Sequence, residues 1–185
     1  MKRTVLTFGL ISGAILSIMM AATMPFMNEI GFERGEVIGY SSMVLAFLLV
    51  FFGVRSYRDS VGGGSITFGR ALAVGTLIAF IASACYVATW QVVSRTVATD
   101  FTARYQEHML EQERAKGVSE AALAERRAEL ERWAERYRNP FFNVAITFIE
   151  PLPVGLILAV VSAGILRRRR DSVERLATSR PAVTG

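Results

Sequence analysis

The stretch FGRALAVGTLIAFIASACYVATWQVVS, from Phe68 to Ser94, decides the fold, because its only charged residue is Arg70, near its start. At about 1.5 Å of rise per helical residue, some 20 such residues reach across a hydrocarbon core of roughly 30 Å. Three further runs of the same kind lie on either side of it, from about Val5 to Met24, Val37 to Val54 and Phe141 to Leu166. Hydrophobic residues make up 52% of the 185 and charged residues 20%, and the charges fall almost wholly between the runs. That segregation predicts an all-α protein, a bundle of four transmembrane helices in one domain over 1–170, followed by a disordered cytoplasmic tail over 171–185. The first run resembles a secretory signal in its basic start, Lys2-Arg3. It is too long for one, however, and passes through Met24-Pro25 without a small-x-small cleavage site.

Lysine and arginine near the ends of membrane helices set their orientation. Four crossings put Lys2, Arg3, the loop carrying Arg55, Arg58 and Arg70, and the cluster from Arg167 to Arg170 on one side. That side holds 11 Lys/Arg against 3 Asp/Glu, a surplus of 8, whereas the other holds 10 against 12 with Glu150 set aside. Both termini are therefore expected in the cytoplasm of a bacterial inner membrane, with the segment between the third and fourth runs outside. The net charge of +5 sits beside apolar runs, which argues for headgroups and against nucleic acid.

The outer segment, 95–139, reads as an extracytoplasmic helical hairpin. Val97, Phe101, Tyr105 and Met109 recur every four residues, extending the third helix past the bilayer. Lys116-Gly117 interrupts the pattern and Ser119 is a good N-cap. Leu123, Leu130 and Tyr137, with Trp133, then form a second narrow seam, so the two helices are expected to pack seam to seam. Arg126 with Glu129, Arg127 with Glu131 and Glu135 with Arg138 read as a solvated face, and the hairpin as a surface for a protein partner. Asn139-Pro140 admits the fourth membrane helix.

Small residues recur every fourth position within the membrane: Gly9, Gly13, Ser17 and Ala21 in the first helix, Ala71, Gly75, Ala79 and Ser83 in the third, Gly155, Ala159 and Ala163 in the fourth. Lipid supplies little hydrophobic drive between helices, so close backbone approach carries their packing. Packing within one chain is the favoured reading, and homo-oligomerisation through Gly9/Gly13 the alternative. Glu150 is the one acid inside a run, and counted from Phe141 it falls near mid-bilayer. Pro151 and Pro153 follow and leave carbonyls one turn back without helical partners. An acid beside a broken membrane helix is the pattern of transporter ion sites. A protonated carboxyl bonded to a neighbouring helix is the structural reading, with Tyr86 or Thr89 as partner by depth. At the inner surface Arg55, Tyr57, Arg58, Arg70, Arg167 and Arg168 form a rim suited to anchoring or to anionic lipid headgroups.

No metal or cofactor is indicated. Cys85 and His108 each stand alone, the first as a core thiol and the second as a loop residue. Gly64-Ser-Ile-Thr-Phe-Gly69-Arg70-Ala71 imitates a phosphate-binding loop, yet arginine replaces its lysine and alanine its metal-binding hydroxyl.

The strings Gly39-Tyr40-Ser41-Ser42-Met43, Phe52-Gly53-Val54-Arg55-Ser56-Tyr57-Arg58-Asp59, Gly64 to Ala71 and Thr147-Phe148-Ile149-Glu150-Pro151-Leu152-Pro153-Val154-Gly155-Leu156 resemble the bacterial family of domains of unknown function numbered 4199. The likeness covers nearly the whole chain. It implies a bacterial four-helix membrane protein and no assigned activity. On the residues themselves, a non-enzymatic structural, accessory or partner-binding membrane protein is expected. The alternatives are a small oligomeric transporter or channel subunit using Glu150, and a lipid-acting enzyme drawing on Glu36 and Tyr40.

Overall fold

The computed structural model describes Met1–Arg167. Eight helices form among these residues: α1 (Lys2–Thr23), α2 (Met27–Ile30), α3 (Phe32–Ser60), α4 (Phe68–Thr96), α5 (Phe101–Ala115), α6 (Glu120–Tyr137), α7 (Pro140–Ile149) and α8 (Pro151–Leu166), with a single 3₁₀ turn, Met24–Phe26, joining α1 to α2. Four stretches are long and apolar enough to cross a membrane: Lys2–Ile30, Phe32–Ser60, Phe68–Thr96 and Pro140–Leu166. The all-α, four-span expectation stands. Arg168 and the tail over 171–185 lie outside the described residues.

α3 and α4 each pack on both α1 and α8, so those two helices flank them on opposite sides. Phe47, Val50, Val54, Val74 and Ile78 fill the middle with no exposed surface. The small-residue stripes set the spacing. A Cβ on Gly13 would stand 2.6 Å from Cys85 Cβ, one on Gly75 2.9 Å from Ala159 Cβ, and one on Gly155 2.7 Å from Ala79 Cβ. Such contacts supply the packing that hydrophobic burial cannot supply in lipid. Ser12 adds a hydrogen bond to the Ala46 carbonyl at 2.8 Å, and Thr89 meets Ser17 hydroxyl to hydroxyl at 2.7 Å. Packing within the chain, the favoured reading of the Gly9/Gly13 stripe, is what the structure shows, and the alternative loses its surface. Gly9 and Gly13 are buried against α4 of their own chain, so they offer no face to a second copy.

Local chemistry explains where the helices begin and turn. Thr67 caps α4 by accepting from Arg70 N, Ser119 caps α6 by accepting from Ala122 N, and Asn139 caps α7 by accepting from Phe141 N and Phe142 N. Gly63 and Gly64, at φ +58° and +83°, turn the chain between α3 and α4, and Gly117, at +78°, turns it between α5 and α6.

The segment between α4 and α7 departs from expectation in two ways. α4 does not run on through Val97 to Met109; it stops at Thr96, and Val97–Asp100 form a bend in which Ala98 N bonds back to the Val93 carbonyl. The rings of α5 also have partners outside α6. Phe101 and Tyr105 pack on Phe32 of α3, each 5.6 Å from it edge to face. Polar groups join α5 to α6, Gln106 donating to the Leu130 carbonyl at 2.6 Å and Glu113 pairing with Arg126 at 3.2 Å. The phenyl ring of Phe32, at the start of α3, is covered by this aromatic face of α5. Of the three expected charge pairs, Arg126–Glu129 forms, at 2.7 Å. Trp90 donates to Tyr137 Oη at 2.9 Å and Gln91 to Asn143 at 2.6 Å, which ties α4 to α6 and α7.

Candidate functional site

Each span is longer than a bilayer is thick. α7 and α8 together run 27 residues, and α3 and α4 run 29 each, about 40 Å or more against a hydrocarbon core of roughly 30 Å. Depth is therefore better measured from the arginine-bearing ends. Glu150 lies about 24 Å along the helix from Leu166, Tyr86 about 24 Å from Arg70, and Tyr40 about 22 Å from Arg55. These three share one level, nearer the α5–α6 end of the spans than the arginine-bearing end.

At that level α7 diverges from its continuation. Glu150 separates α7 from α8, and Pro151 starts α8 where a missing N–H does least harm. α8 packs on α3 and α4, whereas the substantial contacts of α7 are with α4 and α6. The bundle is accordingly closed at its arginine end and spread between α3 and α7 at the other. A chamber of about 360 Å³ occupies the spread end. Its walls are the last turns of α1, Met24 and Met27 after it, the first turns of α3, and α5 laid across the top.

Glu150 forms part of the chamber's floor, and Tyr86 donates to its Oε2 at 3.0 Å. Tyr86 is thus the partner, while Thr89 is engaged with Ser17 and its own helix. Glu36 and Tyr40, the polar pair a lipid-acting enzyme would need, face the same space from α3. Glu33 accepts from Gln112 of α5 at 3.2 Å. His108, read above as a loop residue, stacks on Phe32 with centroids 5.0 Å apart, hydrogen-bonds Gln112 at 3.1 Å, and lines the chamber. Arg104 donates to Asn28 and pairs with Asp100 at 2.7 Å, which fastens α5 to α2. Every methionine except Met1 lines the chamber: Met19, Met20, Met24, Met27, Met43 and Met109.

The other singled-out residues are not brought together. Pro151 is buried in the bundle and Pro153 points outward, so both shape the helix without lining the chamber. At the arginine end, Arg55 and Arg58 share Asp59, at 3.8 and 2.7 Å, and Arg70 and Arg167 are exposed. Tyr57 is 3% exposed and packs in the core beside Val54 and Ile66, so it is no interface anchor. Its direction on the helix, set by Val50 and Val54 one and two turns earlier, outweighs its position near the surface. Among the described residues no group of three or more His, Cys, Asp or Glu is placed to hold a metal ion.

Four apolar spans, a bundle splayed at one end and a chamber with carboxyl groups at that end define a multi-pass helical membrane protein with a cavity among its helices. The family model described as "Protein of unknown function (DUF4199)" matches residues 7–168, and the chain belongs to that family. No curated protein and no solved structure matches it.

Proposed function

We propose that this is a non-enzymatic protein of the bacterial inner membrane, with both termini in the cytoplasm, that holds an amphiphilic ligand in the chamber as an accessory or binding component. One observation carries the reading: a 360 Å³ space lined by apolar side chains and a few carboxyl and phenol groups, within the size range of small-molecule sites. Its two aliphatic hydroxyl side chains support a binding role over a catalytic one. Thr23 donates to the Met19 carbonyl and Ser42 to the Ile38 carbonyl, so neither is paired with a base. The surplus of arginine and lysine on the opposite side supports the orientation. The α5–α6 unit then lies in the periplasm as the chamber's roof, with α6 the face left for a protein partner.

A cysteine at Gly39 tests this directly, because a Cβ there meets nothing within 4 Å and the position lines the chamber. In a Cys85→Ala background, Gly39→Cys is expected to react with a membrane-impermeant maleimide added outside intact cells. Gly164→Cys, which also points into open space but lies near the arginine end of α8, stays unlabelled. Labelling of Gly39→Cys only after denaturation refutes an open chamber, and a reporter fused after Gly185 that is active in the periplasm refutes the orientation.

A second reading is favoured by the helix break at Glu150, which places a carboxyl group where a chamber meets the closed half of the bundle. In that version an oligomer conducts or transports through this point. Glu150→Gln then abolishes a pH-dependent flux in proteoliposomes, and unchanged flux removes the reading.

A further inference from the structure

Three carboxyl groups, those of Glu33, Glu36 and Glu150, line the chamber, and no lysine or arginine does. Another cavity, between α4, α5 and α6, carries Arg95 and Arg138 on its wall. The sign of charge is therefore a property of this space and not of the whole outer end. Two of the three acids already accept a hydrogen bond, Glu33 from Gln112 and Glu150 from Tyr86. Glu36 has no hydrogen-bond or ion-pair partner among the described residues.

Around these acids stand the rings of Phe32, Tyr40, Tyr86, Phe101 and Tyr105. Aromatic faces attract cations, most strongly where water is excluded. The six methionines complete the lining with unbranched, polarisable chains that adapt to irregular shapes. An anionic amphiphile would meet three carboxyl groups and no lysine or arginine. A neutral one would leave Glu36 with no counterpart. A bare metal ion would leave most of 360 Å³ unfilled.

Resting on the open chamber proposed above, we infer that its ligand is a lipophilic organic cation: one positive charge buried in an apolar body of a few hundred cubic ångströms. Such a molecule partitions into the outer leaflet and reaches the chamber through the spread between α3 and α7, where Tyr40 is 46% exposed. The acids then supply the counter-charge, the rings the cation–π contacts, and the methionines the fit.

Tetraphenylphosphonium and tetraphenylborate are nearly equal in size and shape and opposite in charge, which makes them the natural probes. The full-length protein in nanodiscs of neutral lipid is dialysed against each, with empty discs subtracted. Tetraphenylphosphonium is expected to bind at least about tenfold more tightly than tetraphenylborate, and Glu36→Gln to weaken it by about tenfold. Glu135→Gln, which removes the same charge from α6 outside the chamber, leaves binding unchanged. Gly39→Phe, growing into open space, blocks it. Glu33→Gln serves in the same assay should Glu36→Gln fail to fold. Equal binding of the two probes, no binding of tetraphenylphosphonium, or indifference to both acid substitutions overturns the inference. With Gly39→Cys still labelled, such a result refutes the cation and spares the chamber; with Gly39→Cys unreactive, both fall.

Discussion

Gly155→Ala tests whether close approach of the helices holds this bundle together. The added methyl would stand 2.7 Å from Ala79 Cβ and 2.9 Å from Phe47 Cε1. Carbon atoms settle at about 3.5–4.0 Å, so α8 must retreat by roughly 1 Å from two helices at once. Ala79 has no rotamer to escape into, and Phe47 has no exposed surface. Overpacking of this kind costs about 1–3 kcal/mol, or about 2–12 °C of midpoint for a chain of this size at roughly 2–4 °C per kcal/mol. Gly164→Ala, on the same helix, is the internal control, since its methyl meets nothing within 4 Å. It removes only glycine's conformational freedom and is expected to stabilise by about 0.5–1 kcal/mol. Thermal unfolding in micelles, followed by the fluorescence of Trp90 and Trp133, reads both. Should Gly155→Ala prove as stable as Gly164→Ala, the small-residue stripe is not what sets the helix spacing, and the account of the fold fails with it.

Other outcomes follow from single side chains. Ser83 Oγ is enclosed without a hydrogen-bond partner among the described residues, so Ser83→Ala is expected to stabilise the fold slightly, by up to about 1 kcal/mol, read as a higher unfolding midpoint; a clear loss would mean that the hydroxyl is satisfied. Asn139→Ala strips two N–H groups of their acceptor at the start of α7 and should weaken that corner by about 1 kcal/mol. The expected readout is about fivefold faster tryptic cleavage at the exposed Arg138, measured by mass spectrometry, and an unchanged rate would show that the cap does not hold the corner.

The four spans were legible because hydropathy reports on each helix alone, and the caps at Thr67, Ser119 and Asn139 because they are local. Depth along the helices narrowed the partner of Glu150 to Tyr86 or Thr89, and only the packed structure decides for Tyr86. The chamber was not legible. Its methionines come from α1, the turn after it, α2, α3 and α5, and no periodicity in one segment shows that they converge. His108 looked ordinary because the ring that stacks on it, Phe32, lies 76 positions away. The bend at Val97–Asp100 carries no proline or glycine, and Val97, Phe101 and Tyr105 hold helical spacing straight across it. What marks the bend is tertiary: Phe101 packs on Phe32 and Trp90, and Ala98 is buried with Trp90 and Val93.

The central position of α4 bears on how the protein is made. Its Gly75 and Ala79 edge accepts α8, which leaves the ribosome only after the 54 residues, 97–150, that carry α5, α6 and α7, some 3–11 s later at about 5–20 residues per second. Throughout that interval a notch shaped for a helix stands empty in a nascent chain already anchored by three crossings. Anything else in the bilayer with a flat, small-residue edge can lodge there first, so the biogenesis of this protein should depend on whatever keeps that notch vacant.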